Sequence, residues 1–177
     1  LQPDRGCPLL EGGAATVKGE HSLRQAEAVA AKLQERFAPH CERIEVVGSI
    51  RRRKPFVGDI EFVAIPKFER PSFDLPKEQW GWSQLDFYLQ ALDAERRIDI
   101  TSGMHKRGRE RKPVRFLVVA SSGIPYQVEL WLQPNPATYG MNKLIRTGDR
   151  DFTKQLVTSV EHGGCMPTGY YTDGAIL

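Results

Sequence analysis

Apolar residues recur every three or four positions from Leu23 through Ala26, Ala30 and Leu33 to Phe37. That spacing predicts an amphipathic helix with one buried stripe. Ser22 stands where it can cap the helix, Gln25 holds the reciprocal capping-box position, and Pro39 ends the element. The period then changes. Residues 43–48 (Arg-Ile-Glu-Val-Val-Gly) and 58–65 read as strands either side of an arginine-rich turn. A loop with three prolines runs from Pro66 to Trp82, and a second helix is predicted over 83–94, with Leu85, Tyr88, Leu89 and Leu92 on one side. Past residues 97–101 and a basic turn come two further strands, 115–120 and 126–132, joined as a hairpin by Ser-Ser-Gly-Ile-Pro. Alternation sends Val128, Leu130 and Leu132 to one face and Glu129 and Trp131 to the other. Beyond Pro134 and Pro136 the chain becomes helical and polar, then glycine-rich from Gly163.

This order of elements predicts an α+β fold: a mixed β-sheet backed by two helices. Residues 21–133 would form the main domain, 1–20 a flexible lead-in, and 134–177 a small helical or hairpin lobe. A chain of 177 residues, 40% hydrophobic, can bury one real core and a small appended lobe. Its net charge of +3 is mild and permits a nucleic-acid partner without requiring one. The basic residues cluster at Arg51–Lys54 and Lys106–Lys112; the second cluster reads either as a solvated loop or as a grip on a phosphodiester backbone. Three widely spaced cysteines form neither a zinc pattern nor a disulfide framework, which points to a reducing compartment: the cytoplasm, or a host cytoplasm if the gene is viral. No apolar run reaches membrane-spanning length, so no membrane partner is expected. Beginning at Leu1 rather than Met, the chain is expected to be processed, trimmed or cut from something longer.

The candidate chemistry lies between the first two strands. Gly48-Ser49-Ile50-Arg51-Arg52-Arg53 is followed shortly by Gly58-Asp59-Ile60-Glu61-Phe62. Asp59 and Glu61, at i and i+2, share a strand face, while Ile60 and Phe62 take the other. Like charges so placed repel, and a bound divalent cation is the simplest reason to pair them on an apolar segment. Gly48 and Ser49 would let backbone N–H groups and a hydroxyl approach phosphate oxygens closely, and Arg52 would add a planar charged fork. An Asp-x-Glu alone would be no more than the wet face of an edge strand; the Gly-Ser-x-Arg-Arg element beside it changes the reading.

The Gly-Ser-Ile-Arg-Arg and Gly-Asp-Ile-Glu-Phe blocks resemble the palm signature of the DNA polymerase beta-like nucleotidyltransferases, and more narrowly family X DNA polymerases. Thr147-Gly148-Asp149-Arg150-Asp151-Phe152-Thr153 is similar to the segment that such enzymes place in a nucleotide-binding thumb. The interval back from it identifies Glu129 as the counterpart of the family's third carboxylate. Asp99, in Arg96-Arg97-Ile98-Asp99-Ile100, copies the usual text around that acid but lies too close to Asp59. The resemblance implies a palm with a reduced thumb in which Asp59, Glu61 and Glu129 bind two magnesium ions, with manganese able to substitute. Gly48, Ser49, Arg52 and Gly58 would contact the triphosphate, and Ile145, Arg146, Gly148, Arg150 and Thr153 would line its sugar and base.

The implied activity is addition of dNTPs to a primer 3′-hydroxyl with release of pyrophosphate, in repair or replication. The partners would be a nucleoside triphosphate and a DNA primer-template or other nucleic acid, bound by a monomer. Several positions depart from the family. Glutamate replaces aspartate at two metal positions, Ile145-Arg146 replaces the aromatic pair that screens the sugar, and Thr153 stands where asparagine often reads the minor groove. The stretch before residue 20 has no room for the amino-terminal lyase domain of the repair enzymes. The alternatives are nucleotide transfer to RNA, a protein or a small molecule, and a catalytically silent nucleic-acid-binding module of the same fold. His21, His40, His105 and His162 are scattered and expected to play no catalytic part, and Trp80, Trp82 and Trp131 are expected to pack rather than stack on bases.

Overall fold

The computed structural model describes residues 20–68, 81–102 and 113–167. Nearly all of the lead-in, most of the proline loop including Trp80, the second basic cluster with His105, and the last ten residues lie outside the described residues.

Strand β4 (Ile60–Pro66) is where the alternation tells most. Ile60, Phe62 and Ala64 point into one core, Val63 into another, and all four are fully buried. β4 therefore has packing on both faces and occupies the interior of a five-stranded sheet. On one side lies β2 (Cys41–Val46), antiparallel; on the other lies β7 (Pro125–Leu132), parallel. The antiparallel strands β6 (Val114–Val119) and β5 (Asp99–Ser102) complete the order β2-β4-β7-β6-β5. A two-stranded ribbon pairs β1 (His21–Ser22) with β3 (Phe56–Val57). One parallel pair among antiparallel ones makes the sheet mixed, as the order of elements predicts.

Helices α1 (Leu23–Phe37) and α3 (Gln84–Ala94) cover one face. Ala26, Ala30, Leu33 and Phe37 of α1 meet Leu85, Leu89 and Leu92 of α3 in a core with Ile60, Phe62, Phe116, Val128 and Leu130. Phe37 makes edge-to-face contacts with Phe62, Tyr88 and Phe116, at centroid separations of 6.0 to 6.3 Å. The opposite face carries a smaller cluster of Val47, Val63, Trp131 and Tyr139. Tyr139 begins α4 (Tyr139–Thr147), which lies over this second face and is followed by α5 (Arg150–Val157).

Several boundaries differ from expectation. Ser22 precedes α1, but its hydroxyl donates to the Gln25 side chain (2.7 Å) instead of capping the backbone. Its own backbone is committed to β1, so the reciprocal box never forms. The full capping box belongs to Ser83 and Asp86 at the start of α3. β2 stops at Val46, and Gly48 opens a one-turn helix, α2 (Gly48–Arg51), rather than ending the strand. β4 begins at Ile60, one residue after Asp59.

Candidate active site

The second sheet face gains its polar character from register. Glu61 on β4 pairs directly with Glu129 on β7, and Glu129 pairs in turn with Arg115 on β6. A row of three ionisable side chains thus crosses the middle of the sheet. The next row, Val63 and Trp131, is apolar. Glu129 is 9% exposed, and its Oε1 accepts from Arg115 Nε at 2.7 Å. Burial pushes the Glu61 carboxyl up to about 7, with the charges of Asp59 and then Glu129 adding to the rise; Arg146 and Arg52 oppose it. The charges of Asp59 and Glu129 thus both act on Glu61.

Asp99 sits elsewhere. It is exposed on the edge strand β5, separated from β4 by β6 and β7.

Gly48 is where α2 meets Glu61. Its φ of 65° lies in the left-handed region, and a Cβ there would run into the Glu61 carboxylate. Glycine is thus required twice, for the backbone turn and for the close approach of the acid. The turn brings Ser49 inward, where its Oγ is buried without a hydrogen-bond partner. Arg52, at the end of the turn, reaches across to α4: its Nη1 donates to the carbonyl oxygens of Thr147 (2.5 Å) and Gly148 (3.0 Å). Arg52 thereby joins the Gly-Ser turn to the Thr-Gly corner. Gly58, exposed and next to Asp59, has open space around it.

The carboxy-terminal candidates divide. Arg146, half-buried, lies against the Trp131 indole with Cζ 3.3 Å from the ring centroid. The Nε of Arg146 and the Oγ1 of Thr147 are buried without partners. Ile145 is partly buried beside them. Gly148 closes α4 in extended geometry, and a Cβ there would come within 2.6 Å of Thr153 Cγ2. Thr153 is buried and its hydroxyl donates to the carbonyls of Asp149 (2.8 Å) and Arg150 (3.1 Å), so it is occupied within its own helix. Arg150 is exposed at the first turn of α5.

The residues missed by sequence reading hold α4 in place. Glu45 on β2 accepts from Arg43, from Arg51 (3.4 Å) and from the Tyr139 hydroxyl (3.1 Å), and it pairs with Lys143. Burial raises the Glu45 carboxyl, but the hydrogen bonds from Lys143, Arg43 and Tyr139 together outweigh it and hold the group at about 2. Stability from Glu45 is therefore fully present above the usual 4.5 and lost as pH falls through 2. Glu45→Gln is expected to cost on the order of 1 to 2 kcal/mol at neutral pH, discounted for the partly exposed partners. In denaturant titrations the gap between variant and parent should close between pH 4.5 and 2; a gap unchanged across that window would refute the assignment.

Among the described residues the histidines have other partners: His21 stacks on Tyr126, His40 on Tyr88, and His162 Nδ1 lies 2.7 Å from the Ser159 hydroxyl. Trp82 is buried in the larger core and Trp131 in the smaller one.

Among the described residues no three acidic, histidine or cysteine side chains converge closely enough to form a metal cage. The donor chemistry nonetheless fits a hard cation. Glu61 and Glu129 sit directly opposite one another in the β4–β7 register and offer carboxylate oxygens side by side. Magnesium takes one or two carboxylates and fills its shell with water and phosphate oxygens.

No protein-family profile and no curated protein matches the chain. Solved structures do. A ternary P/T complex of polymerase beta from Leishmania infantum superposes with a TM-score of 0.55 at 16% identity, covering 78% of this chain and 52% of that one. The ternary gap complex of the same protein gives 0.56 at 16% identity, with 78% and 46% coverage. The chain spans about half the length of these structures. No described helix is long and apolar enough to cross a membrane. The chain thus has a polymerase beta-like fold.

Proposed function

We propose that the protein is a magnesium-dependent nucleotidyltransferase that adds dNTPs to a primer 3′-hydroxyl and releases pyrophosphate. The observation that carries this reading is the Glu61–Glu129 pair, set in register beside the Gly48–Arg52 turn. Asp59, Glu61 and Glu129 would hold the magnesium. When bound, the metal neutralises charge on the phosphates and makes the hydroxyl a better nucleophile. Gly48 and Ser49 would receive the triphosphate, and the unpartnered Ser49 Oγ supports that role. Arg52 would exchange the carbonyls of Thr147 and Gly148 for phosphate oxygens, a stronger charge-assisted partner. Glu129 would orient the attacking hydroxyl, held steady by Arg115. The hydroxyl gives up its proton to solvent and its oxygen bonds to the α-phosphorus, while the bond to the bridging oxygen breaks in line to free pyrophosphate. The work of the chain is positioning and electrostatics.

Two observations favour keeping a second acceptor class in view. Ile145-Arg146 offers no aromatic screen for the sugar, and the Thr153 hydroxyl is already bonded within α5. Transfer to RNA, a protein or a small molecule is therefore the alternative, with the cytoplasm the expected setting for either.

Primer extension with each dNTP and NTP, run beside labelled-nucleotide transfer to RNA and protein, separates these readings. Asp59→Ala should remove product while leaving salt-dependent DNA binding intact. Product that survives Asp59→Ala would refute the site, and DNA binding with no transfer in the parent protein would favour a silent binding module.

A further inference from the structure

Arg146 lies over the Trp131 indole, close to the acidic pair. Trp131 lies two residues beyond Glu129 on the same sheet face, and its partner Val63 lies two beyond Glu61. The Arg146 guanidinium is docked on Trp131, the next residue after Glu129 on that face of β7. α4 is fixed above that spot through the contacts of Tyr139 and Lys143 with Glu45. Arg146 also keeps a buried Nε without a hydrogen-bond partner. A buried, incompletely bonded guanidinium is costly unless nearby charge compensates it. Burial indeed weakens its hold on the proton, and Glu61 and Glu129 offset that.

We propose that Arg146 is the resident counter-ion of the acidic pair: parked on Trp131, it neutralises Glu61 and Glu129 in the metal-free protein and yields when a divalent cation binds there. The inference rests on the reading of these acids as cation ligands. It follows from charge balance. Arg52, Arg115 and Arg146 already offset the charge of the acids, and a divalent cation entering beside a fixed guanidinium would meet its repulsion. Withdrawal of Arg146 removes that repulsion and uncovers the indole face. Metal occupancy and the position of α4's last turn are thereby linked, because the same side chain answers to both.

The test uses the full chain stripped with EDTA. Free Mn²⁺ is counted by electron paramagnetic resonance, and Mg²⁺, which does not itself quench, is titrated against tryptophan emission. Arg146→Met and Arg146→Gln are expected to bind Mn²⁺ roughly tenfold more tightly than the parent, and Arg146→Lys to stay close to it. Parent emission should change on Mg²⁺ addition, and Trp131→Phe should abolish that change. Equal Mn²⁺ affinity in the parent and both uncharged variants would overturn the proposal, as would a parent that binds no Mn²⁺ or an emission change that persists in Trp131→Phe. Tighter Mn²⁺ binding without any nucleotide transfer would leave this inference standing and sink the transferase reading. Transfer with unchanged Mn²⁺ affinity would do the reverse.

Discussion

Glu61→Gln is expected to lower nucleotide transfer by roughly 10³-fold and, in the same protein, to raise the melting temperature of the metal-free form. Both effects have one source. Glu61 is largely withdrawn from water and faces Asp59 and Glu129, which holds its carboxyl at about 7. In the absence of a cation that arrangement opposes folding, and the neutral amide relieves it at almost constant volume. The gain should be on the order of 1 to 3 kcal/mol at pH 8, or roughly 2 to 12 °C. The sign follows from proton linkage. The folded state holds a proton that the unfolded chain releases near 4.5, so stability falls as pH rises through 7. Below 4.5 the protonated acid resembles glutamine and the difference should vanish. Melting curves in EDTA at several pH values, beside single-turnover transfer rates, check both halves. A variant that loses stability, or keeps its rate, would show that Glu61 is a structural acid.

Gly48→Ala should be damaging in both respects. Alanine pays about 1 to 2 kcal/mol for left-handed backbone, and its Cβ would occupy the space of the Glu61 carboxylate. Either the acid swings away from Glu129 or α2 lifts from β4. The combined loss of stability should be roughly 2 to 3 kcal/mol. Transfer should fall by about 10²-fold or more, because displacements near 1 Å at a reacting centre carry that cost. Denaturant midpoints and steady-state rates measure the two losses. The double variant Gly48→Ala/Glu61→Gln separates the causes: if the clash matters, the second change should cost much less activity than it does alone. Equal losses in both backgrounds would mean that the turn and the acid act independently.

How much of this was legible in the chain differs from residue to residue. Period and alternation located α1, α3 and the β6–β7 hairpin within a few residues, since side-chain direction is a local property of each element. The interval between motifs chose Glu129 over Asp99, and the sheet order agrees with that choice of face. Gly48 reads in the sequence as the end of a strand, because a one-turn helix has too few residues to display a period. The Glu45 hub left no trace at all: two of its partners, Tyr139 and Lys143, lie more than ninety residues away. Arg115 could have been found, since hairpin register sets it opposite Glu129.

Arg52 and Arg146 illustrate the limit most clearly. Motif spacing marks both as phosphate or sugar contacts, yet in the folded chain one holds two carbonyls of the Thr-Gly corner and the other rests on Trp131. The sequence by itself determined the kinds of element, the faces they bury and the acids available for chemistry, because those depend on neighbours a few positions apart. Tertiary structure alone decided which strands lie side by side, that Glu61 meets Glu129, and which carboxylates the arginines neutralise. Charges act through space, and the distances that set their strength exist only once β4 and β7 have paired and α4 has closed over them.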